Sequence, residues 1–160
     1  MELNRDNVIN IEMATEPKEV NGEIVPGKVR SVQVWIGGRV IPLKYTLPVQ
    51  EQVEEDLDMD FYELQNRLNK DKKSTRITVK AILLMGNEGL RLSGEKPDLT
   101  EEWLRDHMAP AKIIDYRLAA LAGLVSGWYM ETDNSYEEKQ DVVLNEIRKK
   151  NENTESPTGS

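Results

Sequence analysis

The sequence has no cysteine, one histidine and one phenylalanine among 160 residues. The missing cysteine excludes disulfides, thiolate nucleophiles and zinc–thiolate centres together. Positive charge is also scarce, with 21 lysines and arginines against 29 aspartates and glutamates, for a net charge of −8. Such a chain repels polyphosphates and anionic lipid surfaces, so neither nucleic acid nor a membrane is an expected partner. Long apolar runs are absent too. The longest, "LAALAGLVSGWYM" from Leu118 to Met130, falls short of the ~20 residues that cross a bilayer. It reads as a buried helix in which Gly123 and Gly127 let a neighbour approach closely. The opening "MELNRDNVINIEMATEP" lacks a basic segment followed by an apolar run, so it does not read as a secretory signal, and with no cysteine an intracellular setting is the simplest expectation.

What is present fits one ordinary domain. Residues 1–28 carry Pro17, Gly22, Pro26 and Gly27 with little periodicity and predict a flexible N-terminal arm. Residues 29–130 are expected to form a single globular domain. Residues 131–160 predict a C-terminal amphipathic helix through Tyr136, Val143, Leu144 and Ile147, then a flexible tail. The expected class is α+β and mainly α-helical: a small N-terminal β-hairpin followed by a compact bundle of helices.

The hairpin is read from "VRSVQVWIGGRVIPLKY". Val32, Val34 and Ile36 alternate, and Gly37-Gly38 supplies the positive φ angles of a tight turn. Strands are expected at 29–36 and 39–45, with Pro42 marking the second as an edge or irregular strand. Thr46 and Pro48 open a first helix carrying Val49, Val53 and Leu57; a second starts near Asp58 or Asp60 with Phe61, Leu64 and Leu68. A third is expected from Ser74 to Met85, ended by Gly86-Asn87. The turn cluster "SGEKPD" then offers Asp98 or Thr100 as an N-cap, with Glu101 placed to complete a capping box with Asp98. That fourth helix runs to Met108, and Pro110 starts a fifth. Its stripe of Ile114, Leu118, Leu121, Val125 and Trp128 is the strongest periodic signal in the chain.

Chemistry-bearing motifs are sparse. His107 stands among Glu101, Glu102, Asp106 and Asp115, yet a boundary histidine near a helix C-terminus needs no catalytic explanation. It is expected to mark a joint between helices. The carboxylates Glu51, Glu54, Glu55, Asp56, Asp58 and Asp60 lack the spacing of a calcium loop and predict a solvated face. Lys70, Lys72, Lys73, Arg76 and Lys80 read as a loop surface open to an acidic partner. The glycines form no phosphate-binding loop, and no serine nucleophile motif occurs. No enzyme, cofactor or metal site is therefore expected.

The order of segments is more informative than any one of them. A Gly-Gly hairpin, "VWIGGRVIPLKYTL", leads to the acidic helix "PVQEQVEEDL", then "VKAILLMGNEGL", the linker and cap "GEKPDLTEEWLRDHMAP", and an alanine-rich helix. From Val32 to Met130 this arrangement resembles the tail assembly chaperones of long-tailed bacteriophages and related prophages. The resemblance implies a non-enzymatic protein of the host bacterial cytoplasm, absent from the mature virion. It would bind the tape measure protein, keep it soluble and release it as tail tube subunits assemble. It also implies a longer form made by programmed frameshifting; "KKN" at Lys149 to Asn151 is compatible with a slippery run. The N-terminal arm is longer than the family pattern, and a homo-oligomer is left open. Trp103, Met108, Leu121, Leu124 and Trp128 are the expected partner contacts, as large aromatic, leucine and adaptable methionine surfaces. The alternative is another phage or bacterial protein-binding module, a scaffold or an inhibitor of a host protein.

Overall fold

The computed structural model describes residues 7–25, 27–70 and 72–128. The predicted C-terminal helix and tail lie outside the described residues. Among the described residues, five strands precede five helices: β1 (Ile9–Met13), β2 (Lys18–Val20), β3 (Glu23–Val25), β4 (Val29–Ile36), β5 (Arg39–Pro42), α1 (Leu47–Leu57), α2 (Phe61–Lys70), α3 (Thr75–Leu92), α4 (Glu101–His107) and α5 (Ile113–Trp128). A 3-10 turn, Pro110–Lys112, joins α4 to α5. The chain is thus α+β, with a small N-terminal sheet region followed by a helix-rich part.

The Gly-Gly hairpin forms as expected. Gly37 and Gly38 have φ of 58° and 75° and Ile36 pairs with Arg39 across them, the two-residue connection that positive φ permits. The second strand ends at Pro42 rather than residue 45 and lies at the edge of a three-stranded sheet ordered β1-β4-β5. At an edge, the missing proline amide breaks no ladder on the far side.

The segment expected as a flexible arm supplies the third strand. Ile9 and Ile11 of β1 stand opposite Val34 and Val32 of β4, on the side that carries the buried Val32, Val34 and Ile36. Beyond Met13 the chain leaves the sheet as a separate two-stranded ribbon, β2 paired with β3. Its Asn21-Gly22 turn also has positive φ at both positions, a tight-hairpin signature. The ribbon's base is closed by Ala14 N–H donating to the Lys28 carbonyl at 2.8 Å and Lys28 N–H donating to Thr15 Oγ1 at 2.7 Å.

α1 and α2 begin where the sequence placed them. Asp60 Oδ1 accepts from Glu63 N–H at 2.8 Å and so caps α2, whereas the Thr46 hydroxyl does not cap α1. α3 runs past its expected end: Gly86 and Gly89 lie inside it, and the helix stops only before Gly94, where φ is +77°. Both inner glycines face β5. A Cβ on Gly89 would sit 1.9 Å from the Pro42 carbonyl oxygen, and one on Gly86 would sit 3.0 Å from Ile41 Cγ2. Here the close approach of backbones outweighs the helix penalty of glycine, about 1 kcal/mol each.

Thr100, not Asp98, caps α4: its Oγ1 accepts from Trp103 N–H at 3.0 Å. Asp98 instead pairs with Arg39 at 2.9 Å, and Glu101 is committed to Arg105 at 2.6 Å and Lys80 at 3.4 Å. The proposed Asp98–Glu101 capping box is therefore replaced by ion pairs that tie α4 and its approach to β5 and α3.

Candidate protein-binding face

α5 is apolar around most of its circumference, and the structure divides that circumference in an unusual way. Its buried residues are Tyr116, Ala119, Ala120, Gly123 and Leu124. Small side chains let the helix lie close to the hairpin: a Cβ on Gly123 would meet Leu43 Cβ at 3.3 Å, and one on Gly127 would meet the Tyr45 carbonyl oxygen at 2.2 Å. Ser126 Oγ adds a hydrogen bond to the Val29 carbonyl at 3.1 Å.

The stripe singled out in the sequence lies on the opposite side. Ile114 is 66% exposed and Leu118 50% exposed, while Leu121 and Val125 are half-buried. The period marks a face of the helix without saying what covers it, and the structure supplies that direction. The signal for the inward face was the run of alanine and glycine beside the stripe. A helix apolar on both sides ordinarily has a neighbour on both.

The C-terminal end of this stripe meets an aromatic cluster. Trp128 stacks on Phe61 with ring centroids 3.9 Å apart, and Tyr62 meets Trp128 edge-on at 5.6 Å. Tyr45 lies 6.1 Å from Phe61; burial first, then the charges of Glu54 and Asp60, push its hydroxyl up to about 12. Near the other end of α5, Arg117 Nη1 donates to Ser74 Oγ at 3.4 Å. The ring contacts place the start of α2 against the end of α5, with the exposed Tyr62 beside Trp128.

The five expected partner contacts are not one surface. Leu124 is fully buried core. Leu121 and Trp128 belong to the outer side of α5, both packed partly against the core. Trp103 and Met108 belong to α4 and its end, also partly packed. Trp103 stacks on His107 at 4.4 Å, with His107 Nδ1 2.8 Å from the Trp103 carbonyl oxygen. A Cβ on Gly37 would lie 2.9 Å from both rings. His107 and Trp103 thus pack against the β4–β5 turn.

A second polar feature had no sequence signal. Glu88, buried in α3, accepts from Arg91 Nε at 2.6 Å and from the Thr46 hydroxyl. The Arg91 hydrogen bond, supported by that from Thr46, holds its carboxyl below the usual glutamate range despite burial. Beside it lies an open cleft lined by Pro48, Val49, Gln52, Leu84 and Pro97. Three of its polar side chains are paired within the fold: Glu88 with Arg91, and Asn87 with the Leu99 backbone through bonds of 3.1 and 2.9 Å. Among the described residues no group of three or more histidines or carboxylates could hold a metal ion, and no helix is long and apolar enough to cross a membrane.

Comparison with protein-family models, curated proteins and solved structures finds no match to this chain.

Proposed function

We propose that the chain is a non-enzymatic protein-binding module that shields an apolar segment of a partner. More particularly, we propose a phage tail assembly chaperone that binds the tape measure protein in the host bacterial cytoplasm, keeps it soluble and helps recruit tail tube subunits, without entering the mature virion. The observation that carries the reading is the outer face of α5, where Ile114 and Leu118 stand exposed on a helix whose other side is fully packed. Exposed apolar surface of this kind costs solubility unless a partner uses it. The segment order from Val32 to Met130, with its resemblance to tail assembly chaperones, is what supports the tape measure protein as that partner. A longer, frameshifted form of the chain would present the same face.

The test is co-expression of the full chain with the tape measure protein encoded by the same genome. A tape measure protein that becomes soluble and co-purifies in a defined complex supports the reading. One that stays insoluble and unbound, with both this chain and its longer form present, overturns it.

A further inference from the structure

The three-stranded sheet has one closed edge and one open one. Along β5, Pro42 carries no amide donor and its carbonyl oxygen lies under Gly89 of α3, so that side takes no further strand. Along β1 no proline intervenes from Ile9 to Met13. Trp35 N–H donates to the Val8 carbonyl and Ala14 N–H to the Lys28 carbonyl, both at 2.8 Å. The even-numbered residues of this stretch therefore turn their backbone groups towards the β4 side, and alternation turns those of Ile9, Ile11 and Met13 away from it. Among the described residues no strand pairs with that outer side. Where the register shifts, Glu12 faces Ser31 and Met13 faces Val29, so the extra residue, Arg30, belongs to β4 and β1 itself stays regular.

The order of residues along β1 selects a second copy of this chain as the occupant. An antiparallel pair about a twofold axis needs a strand that complements itself. With the axis at Ile11, Ile11 meets Ile11 and Ile9 meets Met13 of the second copy, on the side of the sheet where Ile9 and Ile11 pack against the core. On the other side Asn10 meets Glu12 of the second copy, amide against carboxylate, and no charge meets its like. A shift of the axis by one residue loses this match. At Asn10 it sets the buried Val8 against Glu12, and at Glu12 it sets two carboxylates face to face, which is destabilising.

We propose that β1 pairs antiparallel with β1 of a second copy, centred on Ile11, and so joins the two three-stranded sheets into one. The proposal stands independently of the chaperone reading. Pairing over a five-residue strand buries less than the roughly 800 Å² per side of a stable complex, so the dimer is a reversible one. The net charge of −8 on each copy opposes the encounter and is screened beyond about 8 Å at physiological salt.

The test is sedimentation equilibrium of the full chain at physiological salt, which should show a concentration-dependent dimer below about 1 mM. Asn10→Lys places a lysine opposite Glu12 and Asn10→Glu a second carboxylate. Each contact occurs twice about the axis, so the first should tighten association roughly fivefold and the second weaken it roughly fivefold. Asn66→Lys and Asn66→Glu make the same changes of net charge on an exposed position of α2 and should leave association unchanged. Ile11→Pro removes an outward donor without touching the β1–β4 ladder and should abolish the dimer, whereas Ile11→Ala loses the same side chain, keeps the donor and should retain it. Thermal melts of the dilute variants show whether each is folded; the Asn10 pair, on the outer side of the sheet, decides the matter if Ile11→Pro is not. A chain that stays monomeric to about 1 mM overturns the proposal. So does a dimer that survives Ile11→Pro, responds to both Asn10 variants in the same direction, or responds as strongly to the Asn66 variants.

Discussion

At the scale of single residues, two side chains within α3 and its contacts carry opposite lessons about buried polarity. Thr78 is fully buried and its Oγ1 has no hydrogen-bond partner. An unmatched hydroxyl costs about 1–3 kcal/mol, and valine has nearly its shape without the polar atom. Thr78→Val is expected to raise unfolding free energy by about 1 kcal/mol in urea denaturation. Glu88 is the satisfied case, and its contribution depends on pH. Because its carboxyl is held below the usual glutamate range, the unfolded chain takes up the proton first as pH falls. Its stabilisation is complete above the unfolded value near 4.3 and is lost as pH drops through the folded value. Glu88→Gln should cost about 2 kcal/mol at pH 7 and flatten the decline of stability below about pH 4.3. Asp98 and Glu101 are shifted in the same direction by Arg39 and by Arg105 with Lys80, so some acid sensitivity remains in that variant. Unfolding curves of the two proteins across the acid range would reveal the difference, and parallel declines would mean that Glu88 contributes none of it.

At the scale of elements, what could be read from the sequence depended on whether the deciding partner was near in the chain. The Gly-Gly hairpin, the start of α2 and the proline before α5 are governed by φ angles and caps within a few residues, and those were legible. The end of α3 was not, because Gly86-Asn87 resembles a stop signal and the reasons glycine stands there are Leu99 and Ile41 of β5, the latter more than forty residues earlier. Asp98 misled in the same way: its partner Arg39 is 59 residues away. The two glycines make this testable. Alanine gains about 1 kcal/mol over glycine in a helix interior. At Gly86 the added methyl would meet side-chain ends, Leu99 Cδ1 at 2.8 Å and Ile41 Cγ2 at 3.0 Å, which can shift. At Gly89 it would meet the Pro42 backbone at 1.9 Å, which cannot shift without moving β5. Gly86→Ala should therefore stay within about 1 kcal/mol of the wild type, while Gly89→Ala should lose about 3 kcal/mol. Equal effects in thermal melts would refute the close packing of α3 on β5.

At the scale of the whole molecule, the candidate site was half legible. The five-residue stripe of α5 could be found by its period, but the outward direction of its Ile114 and Leu118 follows from the small residues that bring the other side against α3 and the chain after β5. No window along the chain contains those neighbours. The N-terminal segment failed for a different reason: Ile9, Ile11 and Met13 do alternate, and Asn21-Gly22 is a hairpin turn, but five residues of β1 are too short to stand out from polar surroundings. Their roles now separate. β1 completes the sheet, with Val8 buried and Ile9 and Ile11 packed against the core, whereas the β2–β3 ribbon leaves Val20 and Ile24 exposed, and an isolated two-stranded ribbon is at best marginally stable. Thr15 and Lys28 are hydrogen-bonded neighbours at the ribbon's base, so residues 16–27 can be replaced by Asn-Gly without stretching the chain. That excision should change unfolding free energy by less than about 1 kcal/mol, since it removes little buried surface. Removal of residues 1–13 should cost several times more, because it uncovers the side of β4 that pairs with β1 and strips apolar cover from the core. If the excision proves as damaging as the deletion, the ribbon is part of the folding unit and the boundary drawn at Ala14 and Lys28 is wrong. If both are mild, β1 does not contribute to the core in the way its register with β4 implies.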